Sequence, residues 1–108
     1  MNIRQLIYGA KSGSSAAQKC LYDLYADRLM MVCRRYVKGS EDAEEVMLDG
    51  FYKFYKNLSS FQYQNDAAVY VWLKRIMINE CLMFLRKKTV FTIVAETVVE
   101  DVPFEQCA

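Results

Sequence analysis

Apolar residues recur at helical spacing from Ala43 to Leu58, where Ala43, Val46, Met47, Gly50, Phe51, Phe54, Tyr55 and Leu58 form one continuous stripe. A stripe of that period and width predicts an amphipathic helix over Ser40–Leu58, which other helices have to cover. Gly39 is placed to close a preceding helix and Ser40 to cap this one. Glu41, Asp42, Glu44 and Glu45 stand in or near its first turns, where the positive end of the helix dipole favours carboxylates. Capping does not account for the outward residues farther along. Leu48 and Tyr52 share the exposed side with Glu45 and Asp49. Apolar groups among carboxylates suggest a docking face, set against the plainer reading of a lone exposed leucine.

A second helical pattern runs from Val69 to Lys88. It turns Trp72, Leu73, Ile76, Met77, Phe84 and Leu85 toward a core and leaves Lys74, Arg75, Asn79, Arg86, Lys87 and Lys88 for solvent. Five cations against the single Glu80 give this segment a net charge of +4, although the whole chain carries +1. The charge is therefore segregated. Cations late in a helix also suit its negative C-terminal end, so the bland reading of Arg86, Lys87 and Lys88 is a solvated helix terminus. An exposed asparagine among cations, preceded by an aromatic loop, makes a nucleic-acid face the sharper alternative.

Other elements follow the same punctuation. Asn2 to Lys11 predicts a short helix with Ile3, Leu6, Ile7 and Ala10 inward, broken by the KSGSS segment. Ser14 or Ser15 can cap a long helix reaching Lys38, with Leu21, Tyr25, Leu29, Val32 and Tyr36 on one face. The loop from Ser59 to Asp66 is polar except for Phe61 and Tyr63, and Asn65 or Asp66 caps the last helix. Its two aromatics can stack on bases or tuck beneath the loop. After Lys88 the pattern becomes β-branched, then acidic, and includes the only proline, Pro103. Thr89 to Val99 is expected as an isolated strand or an extended linker, with no sheet for it to join.

With 108 residues the chain makes one domain, and 54% apolar residues at helical spacing are enough for a core without covalent or metal crosslinks. No apolar run approaches the roughly 18–20 residues of a bilayer span, and MNIRQLIYGAK does not read as a secretory signal, so a cytoplasmic setting is expected. Cys20, Cys33, Cys81 and Cys107 form no CxxC pair, and the chain has no histidine. A zinc site is thus not expected, and Cys20, Cys33 and Cys81 read as small buried hydrophobes in a reducing compartment. Without histidine or a recognisable nucleophile or phosphate-binding motif, the chain does not read as an enzyme, and no cofactor or metal is expected.

The order of these residues resembles region 2 of the bacterial sigma-70 family, of the compact extracytoplasmic-function (ECF) type. The resemblance runs through Leu21, Tyr22, Tyr25 and Leu29 to Arg34, Arg35 and Tyr36. It continues with Glu41, Asp42, Ala43, Glu44, Glu45, Asp49 and Phe51, then with Trp72, Leu73, Arg75, Ile76, Asn79, Leu85 and Arg86. Residues 14–88 are covered, and the joint spacing is more specific than any one element. The resemblance implies an all-α, compact three- to four-helix bundle over residues 1–88. Residues 89–108 would then be an extended interdomain linker or tail, with the family's second DNA-binding domain absent.

In function, the resemblance implies two partners. Glu45, Leu48, Asp49 and Tyr52 would meet the clamp helices of the largest subunit of core RNA polymerase. Phe61, Gln62, Tyr63 and Asn65 would hold a flipped base of the single-stranded minus-ten promoter element, while Lys74, Arg75, Asn79, Arg86, Lys87 and Lys88 track the strand. An anti-sigma factor is a further partner that the family admits. Trp72 stands where the family usually has tryptophan, although its spacing with Leu73 and Ile76 favours a core role. Leu48 replaces a usual glutamine, Gly50 a frequent threonine and Met83 a common acidic residue, which bears on contact strength and promoter preference. The rival reading is a helical protein–protein adaptor without DNA binding.

Overall fold

The first helix starts at a reciprocal cap. Asn2 accepts the Gln5 N–H at 2.8 Å while the Gln5 side chain accepts the Asn2 N–H at 3.1 Å, so two otherwise orphaned donors are paired before the first turn closes. In the computed structural model, which describes residues 2–101 and side chains through residue 97, four α-helices follow in sequence. They are α1 (Ile3–Lys11), α2 (Ser15–Tyr36), α3 (Ser40–Lys56) and α4 (Asp66–Asp101), with a single 3-10 turn at Leu58–Ser60. No strand occurs among the described residues. Gly13 turns the chain between α1 and α2 with φ of 88°, a left-handed conformation that a side chain would strain. Ser14 then caps α2 by accepting the Ala17 N–H at 3.2 Å.

Facing apolar stripes fix how the helices stack. The rings of Tyr22 and Phe51 lie 4.9 Å apart, and the Tyr55 hydroxyl donates to the Gln18 carbonyl at 2.6 Å, so α3 runs back along α2. On the other side, Phe54 meets Trp72 with ring centroids 5.3 Å apart and Lys53 pairs with Glu80 at 2.6 Å, which sets α4 antiparallel to α3. Tyr25 stacks with Tyr70 at 6.0 Å, tying α2 to the start of α4. The interior formed this way contains Leu6, Ile7, Leu21, Tyr25, Leu29, Met47, Phe51, Phe54, Leu73 and Met77, and among the described residues no charged residue is buried. At about 25 cal/mol per Å² of apolar surface, this burial is the main force holding the bundle.

Gly50 explains why α3 and α4 approach so closely. A Cβ at this position would come within 2.3 Å of the Met77 Sδ and 2.9 Å of its Cε, so the absent side chain makes room for a methionine that is fully buried. The helix-propensity penalty of an interior glycine is about 1 kcal/mol, and the packing of Met77 against bare backbone offsets it.

Several expectations need correction. Gly39, not Ser40, is the N-cap of α3, and it makes no side-chain cap bond; Ser40 is the first helical residue. Helix α2 stops at Tyr36 with Val37 as its cap, so Gly39 does not close it. Tyr36 is exposed and lies outside the core, as does Cys20, whereas Cys33 and Cys81 are fully buried. Burial pushes the Cys33 thiol up to about 12 and raises that of Cys81, in keeping with inert packing groups. Residues 89–101 are neither strand nor extended: α4 continues through them. A packed helix has already paid its nucleation cost, and each further residue adds one hydrogen bond, which outweighs the weak preference of β-branched side chains for strands. Thr92 also bonds its hydroxyl back to the Lys88 carbonyl at 3.0 Å. Pro103 and Cys107 lie outside the described residues.

The Gly50–Met77 contact predicts a coupled pair. Gly50→Ala should destabilise by about 1–3 kcal/mol through overpacking. Met77→Ala should cost about 2–5 kcal/mol through its cavity. Chemical denaturation of the double variant should show a loss smaller than the sum, and strict additivity would dismiss the contact as the reason for the glycine.

Candidate functional site

The loop between α3 and α4 is built on an alternation. Phe61, Gln62, Tyr63 and Gln64 read apolar, polar, apolar, polar, and in extended backbone such a run sends successive side chains to opposite sides. Phe61 has φ of −82° and ψ of 133°, and along the run Phe61 and Tyr63 are half-buried while Gln62 and Gln64 are exposed. The Phe61 ring stacks on Trp72 at 4.5 Å with planes 13° apart, so the loop rests on α4 through two parallel aromatic faces. Tyr63 donates its hydroxyl to the Asp66 carboxylate, a bond that raises the tyrosine above its ordinary pKa. Asn65 accepts the Ala68 N–H at 2.8 Å and caps α4.

Three of the four loop residues expected at a base are therefore engaged within the protein: Phe61 with Trp72, Tyr63 with Asp66, and Asn65 with the helix end. Gln62 is free. Gln64, absent from the expected set, joins it along a depression of about 420 Å³ lined also by Ser60, Phe61, Ala68 and Trp72. That volume is at the lower end of the roughly 300–1,000 Å³ typical of small-ligand sites. The two amides offer both donors and acceptors beside an aromatic floor, the equipment needed to read a planar, polar-edged ring. The sequence signal for Gln64 was the period of two within the loop. Trp72, half-buried, serves both core and depression: its ring meets Phe54 of α3 and Phe61 of the loop.

Cations of α4 divide by helical geometry. At 100° per residue, Arg75, Asn79 and Arg86 fall within about 40° of one another on the side farthest from the core. All three are exposed, with Val71 and Leu82, also exposed, beside them. Lys74, half-buried, and Lys88, exposed, lie toward the flank shared with Tyr70, where α2 packs. Lys87 lies on the opposite flank. It lines the groove between α3 and α4 together with Glu45, Asp49, Tyr52, Glu80 and Met83. The six expected strand-tracking residues thus form one outer line of three and three flanking lysines, with Lys87 next to the acidic face. Sequence reasoning also passed over Arg28, whose guanidinium lies over the rings of Tyr70 at 4.4 Å and Tyr25 at 5.5 Å near the start of α4.

On α3, Glu45, Leu48, Asp49 and Tyr52 are brought together on the outer surface. Leu48 is 48% exposed and Tyr52 65% exposed, large values for residues flanked by packed helices. Grooves border this ridge on both sides, one toward α4 and one toward α2 lined by Gln18, Lys19, Tyr22 and Tyr55. An amphipathic ridge of acids around two apolar side chains can seat a basic helical partner through charge and contact area. Among the described residues no acidic or cysteine cluster could hold a metal, and no helix is long and apolar enough to cross a membrane.

The bundle and its loop agree with known proteins. The sequence pattern of the family described as Sigma-70 region 2 matches residues 21–90, from the core face of α2 through the cation line of α4. The chain belongs to that family, as a region 2 domain of the ECF type. It is 30% identical over 88 residues to the ECF RNA polymerase sigma factor SigW of Bacillus subtilis (strain 168), covering 82% of this chain and 46% of that protein. It is 32% identical over 83 residues to the ECF sigma factor SigM of Mycobacterium tuberculosis (strain H37Rv), covering 77% and 41%. Against the ECF sigma-E factor of Escherichia coli (strain K12) the identity is 32% over 80 residues, covering 74% and 40%. The chain spans less than half the length of these relatives. An NMR structure of an engineered region 2 of sigmaE in complex with GTAAAA superposes with a TM-score of 0.74 at 26% identity, covering 82% of this chain and 90% of that one.

Asn65 gives this site a direct test. Asn65→Ala removes the side-chain acceptor at the α4 N-terminus and should lower stability by about 1 kcal/mol in thermal or denaturant melts. Asn65→Asp keeps the acceptor and should cost nothing measurable. Equal melting of all three proteins would show that the cap contributes nothing to anchoring the loop.

Proposed function

We propose that this chain is the promoter-recognition domain of an RNA polymerase sigma factor, acting in the cytoplasm in transcription initiation and performing no catalysis. The observation that carries the reading is the placement of two separate surfaces on one rigid bundle. An acidic, partly apolar ridge on α3 stands apart from a loop depression and an outer cation line on α4. In this reading Glu45, Leu48, Asp49 and Tyr52 dock on the clamp helices of the largest core polymerase subunit. Gln62 and Gln64, over the Phe61–Trp72 floor, receive a base of the single-stranded minus-ten element. Arg75 and Arg86 meet phosphates beside Asn79, and Lys74 and Lys88 add charge at the flank. Residues 89–108 correspond in this reading to the interdomain linker or tail of the family.

The energetics suit this division of labour. Extruding a base costs a few kcal/mol, which stacking and hydrogen bonds in a pocket have to offset. Stacking on an aromatic returns about 1–3 kcal/mol per base, so a domain with few phosphate contacts binds DNA weakly by itself. Docking on polymerase supplies the missing effective concentration. The neighbour described as bound to GTAAAA supports the DNA half of the proposal, and the names of the relatives support the polymerase half.

Charge reversal tests the ridge. The double variant Glu45→Lys, Asp49→Lys should lose binding to an isolated clamp-helix fragment in a pull-down while its melting temperature changes little, because exposed charges contribute little to stability. Undiminished capture by the variant would move the polymerase contact elsewhere.

Fluorescence anisotropy tests the cation line. Single-stranded oligonucleotides should bind more tightly than the same sequence as duplex. Arg75→Gln and Arg86→Gln should each lower the slope of log affinity against log salt by about 0.7, the share of one phosphate on a single strand. Equal affinity for both forms with no salt dependence is the result that an adaptor without DNA binding would give.

A further inference from the structure

Lys11 ends α1, fifty residues before the loop, yet its Nζ donates to the main-chain carbonyl of Phe61. Phe61 closes the 3-10 turn, its own N–H bonding to the Leu58 carbonyl at 3.0 Å. One residue is therefore held from two directions, the ring by Trp72 of α4 and the carbonyl by Lys11 of α1. The lysine is itself steadied: it is half-buried, and its ammonium stands 5.9 Å from the centre of the Tyr8 ring, which Arg4 approaches at 5.7 Å. An ammonium bonded to a carbonyl makes a charge-assisted hydrogen bond, stronger than a neutral one. Immediately after that carbonyl comes Gln62, the first of the two free amides over the depression.

We propose that Lys11 is a positioning residue for base recognition: its bond to the Phe61 carbonyl fixes where the Gln62 and Gln64 amides stand over the depression, making α1 part of the specificity device. The proposal rests on the loop being the base-holding element described above. The physical reason is tolerance. Hydrogen bonds to a base edge work over a donor–acceptor window of roughly half an ångström, so a loop free to drift would keep its stacking and lose its discrimination. Tyr63–Asp66 and the Asn65 cap hold the far side of the loop to α4, and Lys11 is the tether that ties its near side to a different helix. With both sides held, the exposed amides between them are presented in one arrangement.

Lys11→Met keeps the aliphatic stem and removes the donor, while Lys11→Arg retains one. Trp72 is the only tryptophan in the chain and lies under Phe61, so its fluorescence reports the tether without any DNA. The methionine variant should show red-shifted emission and a larger acrylamide quenching constant, with unchanged far-UV circular dichroism, and the arginine variant should restore both. In anisotropy titrations with single-stranded oligonucleotides that differ at one base, the parent's preference should be on the order of tenfold for a good base-edge pair and should fall to about twofold or less in Lys11→Met. The salt slope should stay the same. Unchanged Trp72 emission overturns the tether. An intact preference with a slope lowered by about 0.7 overturns positioning and makes Lys11 a phosphate contact. A parent chain with no base preference overturns the reading of the loop, and with it the role in specificity; the tryptophan signal separates that failure from failure of the tether.

Discussion

The seam between α3 and α4 is the constraint on which the rest depends. It is closed by Phe54 against Trp72, by Met77 in the space over Gly50, and by the Lys53–Glu80 pair at 2.6 Å. Glu80 is nearly covered, its side chain 11% exposed, so the ion pair answers a carboxylate that α4 turns toward α3. Dispersion and apolar burial carry most of the energy here, and the ion pair sets direction. Because the seam fixes how α4 is rotated, it decides which of its cations face outward together and which slip to the flanks.

Aromatic continuity couples that seam to the loop. Tyr22, Phe51, Tyr55, Phe54, Trp72 and Phe61 form a chain of ring contacts from α2 across α3 and α4 to the loop floor. Packed rings shift as bodies and tolerate little slack, so a depression floored by the last of them inherits the rigidity of the core. A recognition loop usually gains precision by resting on such a scaffold. Its polar face can then vary without disturbing the fold, since Gln62 and Gln64 contribute nothing to the interior.

Charge placement follows from the same geometry. A chain with net charge +1 can present an acidic ridge and a basic line only if each helix keeps its charges on one side and the bundle holds those sides apart. Helix α3 does this with Glu45 and Asp49 around Leu48 and Tyr52. Helix α4 does it for Arg75, Asn79 and Arg86, while Lys87 sits in the groove among the carboxylates of α3. There it tempers the acidity of the ridge at one edge, a local balance that the net charge of either helix conceals.

The sequence by itself determined the helices as far as Lys88 and most of their buried faces, because periodicity records which side must leave water: the stripe from Ala43 to Phe54 is buried as the spacing requires, while Tyr36 is not. The spacing of the acidic stretch, Trp72 and Arg75 likewise carried the family. The cap at Asn65 was legible for the same local reason, a short polar side chain before a helix start. Tertiary structure alone decided three things. Gly50 faces Met77 only because two helices meet there. Lys87 stands beside Glu45 and Asp49 only because packing sets that flank of α4 against α3. Residues 89–101 join α4, against their β-branched composition, because a helix already nucleated and anchored at one end extends at little further cost.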